Sequence, residues 1–413
     1  MNPQTAASLA YFMYMLDNAE AVNQGKLPVT DLGVYSQGPH TLVMQLAAPY
    51  PFLPERLLYP TAFPVPQHVI DKVGAAWTKP EHWVSNGAYT LAHWQPEAYI
   101  EMHSNPHFVD SVAIQRARYL PFANEQAAYN RYRNGELHAI ASFPANELAR
   151  VEKNHAASLR QSPLLSMMYL VFNTRRPPFD DVRVRTALAS VVDQNLLADK
   201  VLRSGARAAK TFTPEMITAY QAPPMDHSHT PSDLIERAKR LLAEAGYDAK
   251  RPLRITLRHV SGNEEKRVNL AVAGMWRQLG VQTQLQQGTM NAHFADLRQG
   301  EFDVAWAGWI GESNAEHYLG LLASDVGDVN YGAYHSAEFD QLIQQARTHA
   351  DVQTRNNFLQ QAEAVALREA PVVPLYSLAS RRLVNPRLGG WYDNPRDIHP
   401  LRYLHFATGH PGP

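Results

Sequence analysis

The second half of the chain carries the clearest periodic pattern of apolar and polar positions. Thr230, Pro231 and Asp233 form a strong helix start, because Thr caps, Pro suits the first helical position and Asp233 can return a hydrogen bond. Gly246 supplies a left-handed stop. The apolar residues in between recur at helical spacing: Leu234, Ile235, Ala238, Leu241, Leu242 and Ala245.

Strands and helices alternate after this helix. Apolar positions alternate over 253–257 and 281–285, and 302–306 is a third strand-like run. A helix between the first two strands ends at Gly280 and presents one apolar face, formed by Val268, Ala271, Val272, Met275 and Leu279. Together with a short helix before the third strand, this order predicts βαβ architecture with a mainly parallel sheet.

The first half differs from the second. Short predicted strands at 40–46, 89–94 and 99–103 are separated by turns rich in Pro, Gly and Asn, which indicates an α+β lobe. A helix is predicted from Asp180, which would cap it, to Val192. Its inward-facing residues are predicted to be Val184, Ala187, Leu188 and Val191.

Composition excludes several function classes. The 413 residues carry a formal net charge of −1 and no basic block, so no nucleic-acid partner is predicted. The absence of Cys excludes thiolate catalysis, Cys-ligated zinc and disulfides. The charge-free run 162–174 has only about ten apolar residues, too few for a membrane span, which needs about 20.

Catalytic and cofactor motifs are missing as well. The chain has no GxxxxGK[ST], GxGxxG, GxSxG or HExxH pattern, so we predict no catalytic residue and no cofactor. The best local metal candidate is Asp226, His227 and His229, but the pattern favours a solvated loop because neighbouring His residues on a flexible segment form a poor preformed site.

The segment from Trp306 to Tyr318 is the strongest candidate for binding. Two Trp and a Tyr surround glycines and Glu312 just after a buried-looking strand. Ligands of open α/β sheets bind beyond the carboxyl ends of strands, where glycines allow close backbone approach and aromatic rings give large contact area. Packing of both Trp in a core explains the pattern equally well on sequence physics alone.

At this segment the chain closely resembles the family 5 extracytoplasmic solute-binding proteins of ABC importers, in particular the oligopeptide-binding branch. The resemblance runs along essentially the whole chain. It is carried by Thr-Asp-Leu-Gly-Val at 30–34, Asn-Gly-Ala-Tyr-Thr-Leu at 86–91, Asn-Arg-Tyr-Arg-Asn-Gly-Glu at 130–136, Asn173 with Pro-Phe-Asp-Asp-Val-Arg-Val-Arg-Thr-Ala-Leu at 178–188, the stretch 241–247, Gly-Glu-Phe-Asp-Val at 300–304 and Gly-Trp at 308–309.

The resemblance implies an α/β fold of the type II periplasmic binding protein class, with mixed sheets, two lobes and an extra first-lobe subdomain. It further implies that a hinge closes the lobes over an extended peptide, which is held by main-chain hydrogen bonds. The corresponding domains are a remainder of the extra subdomain (1–74), part of the first lobe (75–165), an α/β second lobe (166–385) and a C-terminal return to the first lobe (386–413).

Ligand contacts also follow from the resemblance. The family's carboxylate for the peptide α-amino group falls at Glu312, one methylene longer than the usual Asp. An Arg that meets the peptide carboxylate falls at Trp306, a His with a related role falls near Glu265, and the family's Cys pair is replaced by Ser166 and Ile310. These departures imply a ligand that offers an amine or other donor, with a different carboxylate anchor or none. The predicted ligand-binding residues are Trp306, Trp309, Glu312, Asn314, Tyr169 and Tyr376.

The implied function is capture of oligopeptides for delivery to membrane-embedded ABC permease subunits by a monomeric periplasmic protein. No signal peptide is visible at the N-terminus, and the resemblance implies roughly 100 further residues before the point matching Met1, so a misplaced start or a truncated first lobe is expected. Two alternatives stay open: a receptor or chaperone-like binder of murein peptides or haem, and, more remotely, a peptide or amide hydrolase.

Overall fold

The computed structural model describes residues 1–5, 7, 9–224 and 228–407. Two of the three residues of the metal candidate, Asp226 and His227, lie outside these residues. The strands of the described part are β1 (Val34–Ser36), β2 (Leu42–Met44), β3 (Tyr89–Gln95), β4 (Tyr99–Ser104), β5 (Arg116–Tyr119), β6 (Ala139–Ile140), β7 (Leu159–Arg160), β8 (Ser166–Phe172), β9 (Arg207–Ala208), β10 (Arg254–Val260), β11 (Gln282–Gly288), β12 (Val304–Ile310), β13 (Val372–Ser377), β14 (Arg382–Val384), β15 (Leu388–Gly389) and β16 (His405–Phe406).

Helices occupy much of the remaining chain. The α-helices are α1 (Ala19–Asn23), α2 (Leu53–Arg56), α3 (Gln67–Val73), α4 (Glu125–Arg133), α5 (Leu148–Asn154), α6 (Val182–Ser190), α7 (Gln194–Leu196), α8 (Pro231–Glu244), α9 (Asn263–Arg277), α10 (Met290–Gln299), α11 (Glu316–Leu319), α12 (Ala337–Thr348) and α13 (Val352–Glu369). Within the described residues, no helix combines the length and the apolar character needed to cross a membrane.

The chain divides into two compact units. The first comprises Met1–Pro64, Ser166–Gln194 and Ala209–Tyr376, and the second comprises Val65–Leu165, Asn195–Ala208 and Ser377–Pro413. The domain boundaries implied by the resemblance differ from these bounds and stay a prediction. The candidate binding segment, 306–318, belongs to the first unit.

The first unit is built on a mixed sheet whose strands run in the order β11-β10-β12-β8-β13. Strand β10 pairs in parallel with both β11 and β12, as the βαβ pattern predicts. Strands β8 and β13 add antiparallel neighbours beyond β12. The parallel pairing predicted for the βαβ segment is therefore confirmed, and β8 and β13, which lie outside that segment, make the sheet as a whole mixed.

Helix caps explain where several helices begin. At α8, Thr230 and Asp233 form the predicted capping box, and Gly246 has the predicted left-handed conformation at φ +88°. At α6 the cap is Asp181, whose side chain accepts a hydrogen bond from the Arg183 amide, and not Asp180 as predicted. The predicted inward face of α6 is buried except at its last residue, Val191, which is half-buried.

The second unit contains smaller antiparallel sheets. Strands β3, β4 and β5 form one sheet, and β6, β14 and β7 form another. The strands predicted at 89–94 and 99–103 are confirmed as β3 and β4, with Trp94 opposite Ile100 in the register. On β4, Glu101 is nearly enclosed although it is charged, and both Arg118 and His103 pair with its carboxylate. Hydrogen bonds from His103 and Arg118 lower the pKa of Glu101 to about 2.

Candidate functional site

The candidate site lies where β12 ends and the chain turns into α11. Strand β12 runs through the middle of the sheet, and its residues Val304, Ala305 and Ala307 are completely enclosed. Its last residue, Ile310, is exposed, so the chain leaves the core at this point. The turn that follows therefore lies at the carboxyl end of a strand buried on both faces, which is the place where α/β proteins bind ligands.

Glu312 is the central residue of this turn and has no exposed surface. Burying an ionised carboxylate is strongly unfavourable unless a cation or several donors compensate for the lost hydration. The cation is Arg56, at the end of α2, whose Nη1 lies 3.2 Å from Glu312 Oε1. The second carboxylate oxygen accepts a hydrogen bond from Asn314 Nδ2 at 3.1 Å. The chain itself therefore neutralises this acid.

Aromatic rings surround the guanidinium of Arg56. Its central carbon lies 4.9 Å from the ring centre of Phe12, 5.7 Å from that of Tyr59 and 5.9 Å from that of Tyr50. Arg56 Nη2 also donates a hydrogen bond to the Tyr50 hydroxyl at 2.9 Å. A guanidinium stacks well on aromatic faces and is weakly hydrated, so this environment holds a buried Arg better than it would hold a Lys.

Glu55, the neighbour of Arg56, ties α2 to the same turn. Its Oε1 accepts hydrogen bonds from the Ser313 amide at 3.0 Å and from the Ser313 hydroxyl at 2.8 Å. Two consecutive residues of α2 thus contact two consecutive residues of the turn. This doubled contact fixes where Arg56 can place its guanidinium.

A second ion cluster follows at the start of α11. The carboxylate of Glu316 pairs with Arg347 Nε at 3.1 Å and with Arg355, which is almost completely buried. Arg355 also lies over the Phe52 ring at 5.6 Å. The acids at both positions, Glu312 and Glu316, are therefore paired with arginines of this chain.

The predicted aromatic contacts fall on two faces of the sheet. Trp306 lies opposite Leu170 and Tyr376 lies opposite Met168. Leu170 and Met168 are two residues apart on β8, so Trp306 and Tyr376 share one face. Both are buried, and burial raises the pKa of the Tyr376 hydroxyl.

Tyr169 and Trp309 lie on the opposite face. The ring of Tyr169 is buried and packs edge-on against Phe212 at 5.0 Å, and burial raises the pKa of its hydroxyl. Trp309 is half-buried and contacts the ring of Phe12 at 6.5 Å and that of His317 at 5.5 Å. The sheet thus separates the four predicted aromatic contacts into two pairs, and of these four only Trp309 belongs to the aromatic cluster around Arg56.

Histidines fix the backbone of this strand and turn. His317 Nδ1 accepts a hydrogen bond from the Glu312 amide at 2.9 Å. His293 Nε2 lies 2.7 Å from the Trp306 carbonyl, so this nitrogen carries the proton that it donates. Burial lowers the pKa of His293 to about 4, which keeps the ring neutral at neutral pH.

Sequence reasoning missed Arg56 and the ring cluster around it. All of them lie more than 250 positions before Glu312, and the Pro-rich stretch that holds Tyr50, Arg56 and Tyr59 gives no sign of a buried cation in its local pattern. The replaced Cys pair of the resemblance does meet in space, because Ser166 and Ile310 are direct partners in the β8–β12 register.

Comparison with known proteins identifies the family. The family described as "Bacterial extracellular solute-binding proteins, family 5 Middle" matches residues 1–328. The chain belongs to this family. Its known members are proteins that bind substrates, and the resemblance carried by the sequence motifs is thereby confirmed.

Individual relatives differ in the ligand that their names give. The chain is 36% identical to the probable deoxycholate-binding periplasmic protein YgiS of Escherichia coli K12, over 96% of this chain and 75% of YgiS. It is 33% identical to the periplasmic oligopeptide-binding protein OppA of Salmonella typhimurium, over 94% of this chain and 73% of OppA.

A solved structure supports the fold. The Escherichia coli murein tripeptide binding protein MppA superposes with a TM-score of 0.87 at 31% identity, covering 99% of this chain and 81% of MppA. The predicted fold class, an α/β periplasmic binding protein with mixed sheets, is confirmed by this likeness.

Proposed function

We propose that this protein captures oligopeptides and releases them unchanged to the permease of an ABC importer. The observation that carries the proposal is the match to family 5 over residues 1–328, with oligopeptide- and murein-peptide-binding proteins among the relatives. An extended peptide can be held by main-chain hydrogen bonds, which give affinity that does not depend on peptide sequence.

The proposal includes a location, a subunit state and the absence of catalysis. The relatives named here are periplasmic proteins, which supports a periplasmic site of action. We further propose that the protein acts as a monomer, binds no nucleic acid and is not an enzyme. The remote hydrolase alternative predicts turnover, whereas capture predicts that the ligand is retained intact.

The proposed residues of the binding region are Trp306, Trp309, Glu312, Asn314, Tyr169 and Tyr376, of which Glu312 has no exposed surface and would act through its pair with Arg56. Trp309 is the best supported of the aromatic residues, since it retains exposed surface at the end of β12. The other aromatic residues are buried and would act by shaping the wall behind the contact surface.

Calorimetry and mass spectrometry test the proposal. Titration with a mixed tripeptide library should release heat with a stoichiometry of one, and native mass spectrometry should then show intact peptides on the protein. Loss of the signal in Trp309→Ala, but not in the exposed control Tyr392→Ala, would support the site. A library that is hydrolysed, or one that does not bind at all, would contradict the proposed function.

A second candidate is capture of an amphipathic carboxylate of the bile-acid type. The specific observation in its favour is the Arg56–Glu312 pair, in which Arg56 balances the charge of the buried carboxylate, so that the ligand needs no amine. The 36% identity to YgiS points in the same direction. Competition decides between the two candidates. Deoxycholate that displaces bound tripeptide below its micellar concentration would favour the second, and displacement only by peptides would favour the first.

A further inference from the structure

We propose that Arg56 is a specificity-determining residue that takes the position of a ligand ammonium at Glu312, so that ligand capture does not require a free amino group. This inference rests on the proposed function, because it concerns how the same site selects its ligand. It differs from the prediction made from the sequence, in which Glu312 pairs with the peptide amine.

The first argument is the state of the carboxylate. Glu312 has no exposed surface, and Arg56 and Asn314 already engage its two oxygens. A ligand ammonium would gain little from a carboxylate whose charge is already balanced, while it would still lose its own hydration on burial. Glu312 has already exchanged water for a counter-ion, and this counter-ion is Arg56 of the same chain.

The second argument is the repulsion that Arg56 itself creates. An ammonium within reach of Glu312 would also lie close to the guanidinium, whose Nη1 is 3.2 Å from the same carboxylate. In a site of low polarity, two like charges a few ångströms apart repel strongly. Arg56 thus disfavours a cationic ligand end besides satisfying the acid.

The third argument is that Arg56 is held where it is. Its guanidinium lies among Phe12, Tyr50 and Tyr59, and it donates to the Tyr50 hydroxyl. The hydrogen bonds between Glu55 and Ser313 fix the same end of α2 against the turn. A ligand amine would have to separate these contacts before it could replace the arginine.

One further acid beside the turn needs a separate control. Glu55 is half-buried and its carboxylate accepts from Ser313, so part of it could still meet a ligand cation. Removing this charge in Glu55→Gln separates a role of Glu55 from the role of Arg56.

The main test compares a matched pair of ligands, trialanine and N-acetyl-trialanine, by calorimetric titration. For the wild type we expect N-acetyl-trialanine to bind at least as tightly as trialanine, because Arg56 gives the free amine no advantage and repels its charge. For Arg56→Met we expect a preference for the free amine of about tenfold or more, the size of one charge-assisted hydrogen bond. Arg56→Lys keeps a cation and should keep the wild-type behaviour, and so should Arg368→Met, which removes an exposed arginine elsewhere in the same unit.

Two outcomes would overturn the inference. One is a wild type that binds trialanine at least tenfold more tightly than its acetylated form and loses this preference in Glu312→Gln or Glu55→Gln. The other is an Arg56→Met protein that folds and binds both peptides but gains no preference for the amine.

A stability measurement tests the inference without any peptide, so that failure of the proposed function is distinguishable from failure of this one. Ethylguanidinium and ethylammonium should each raise the melting temperature of Arg56→Ala, because either cation can fill the space beside Glu312. Neither should raise that of the wild type or of Arg368→Ala. If peptides fail to bind but this rescue occurs, the proposed function is wrong and the role of Arg56 stands. If the folded Arg56→Ala protein shows no rescue, the inference is wrong.

Discussion

Two buried glutamates of the first unit solve the same problem in different ways. Glu312 has Arg56 as its counter-ion, at the edge of the sheet where ligands bind in this class of fold. Glu363, on α13, is also completely enclosed, but the groups around it are neutral: the amide and hydroxyl of Thr213 and the hydroxyl of Tyr220.

The difference teaches what each acid is suited to do. Burial raises the pKa of Glu363 above its ordinary value, and the donated hydrogen bonds only partly oppose this effect. Through the hydrogen bonds that it accepts, Glu363 holds the segment around Thr213 and Tyr220 against α13. Glu312 has a full positive charge beside it, so the Arg56–Glu312 pair governs the electrostatics of the turn.

The largest expected effect is at the charged pair. Arg56→Met leaves the Glu312 carboxylate buried without its counter-ion, which should lower the free energy of unfolding by about 3–5 kcal/mol. Urea denaturation followed by Trp fluorescence measures this change. Arg368→Met, at an exposed pair, is the control and should change the midpoint little. Equal effects of the two substitutions would contradict the account.

A smaller effect is expected at the neutral cluster. Thr213→Val removes the hydroxyl that donates to Glu363 but keeps the shape of the side chain and the backbone amide donor. The free energy of unfolding should fall by about 1–3 kcal/mol. Thr348→Val provides the comparison, since the Thr348 hydroxyl bonds a carbonyl of its own helix in an exposed position. A loss at Thr213 as large as that of Arg56→Met would remove the distinction between the two acids.

Glu363 and Glu101 should contribute to stability with opposite dependence on pH. Because the folded pKa of Glu363 is raised, the unfolded state ionises first as pH rises, so the contribution of Glu363 is complete at low pH and declines above about pH 4.5. The stability lost in Glu363→Gln should accordingly be larger near pH 4 than near pH 8, by urea denaturation at both values. A loss that grows with pH would show that the carboxylate is ionised in the folded protein.

Glu101 of the second unit gives the reverse case. Its folded pKa of about 2 lies below the ordinary value of 4.5, so its contribution is complete above pH 4.5 and is lost as pH falls towards 2. Glu101→Gln should therefore flatten the acid limb of the stability profile between these values. An unchanged acid limb would mean that the pairs with His103 and Arg118 contribute nothing to stability.

The smallest effect is expected where a pair is open to water. Lys239 and Glu236 lie 3.2 Å apart on α8, and both side chains are largely exposed. Lys239→Gln should change the free energy of unfolding by less than about 0.5 kcal/mol. A change of several times this size would mean that exposed pairs stabilise this protein as strongly as buried ones, contrary to the account given for Arg56 and Glu312.

Local features of the fold could be read from the sequence, and long-range contacts could not. The capping box of α8 and the strands β3, β4, β10 and β11 follow from patterns within a few residues. The antiparallel placement of β8 and β13 depends on pairing between distant segments, for which periodicity carries no signal. The family could be predicted from the sequence motifs, although the periodic pattern of apolar residues did not reveal it.

The candidate site was predictable only in part for the same reason. Trp309 and Glu312 stand out because they follow an apolar strand, and the structure places both at the end of β12. The prediction that Trp306, Trp309, Tyr169 and Tyr376 contact one ligand stays a prediction, and the register places them on two faces. Arg56 changes the expected chemistry of Glu312 most, and only the folded chain brings the two together.

A double-mutant cycle at Arg56 and Glu312 tests most directly whether this chain neutralises its own buried acid. The free energy of unfolding is measured for the wild type, Arg56→Met, Glu312→Gln and the double variant. We predict a favourable coupling of about 1–3 kcal/mol, with the double variant more stable than the Arg56→Met single variant. Additive effects would contradict the pairing and return Glu312 to the role of a partner for the ligand.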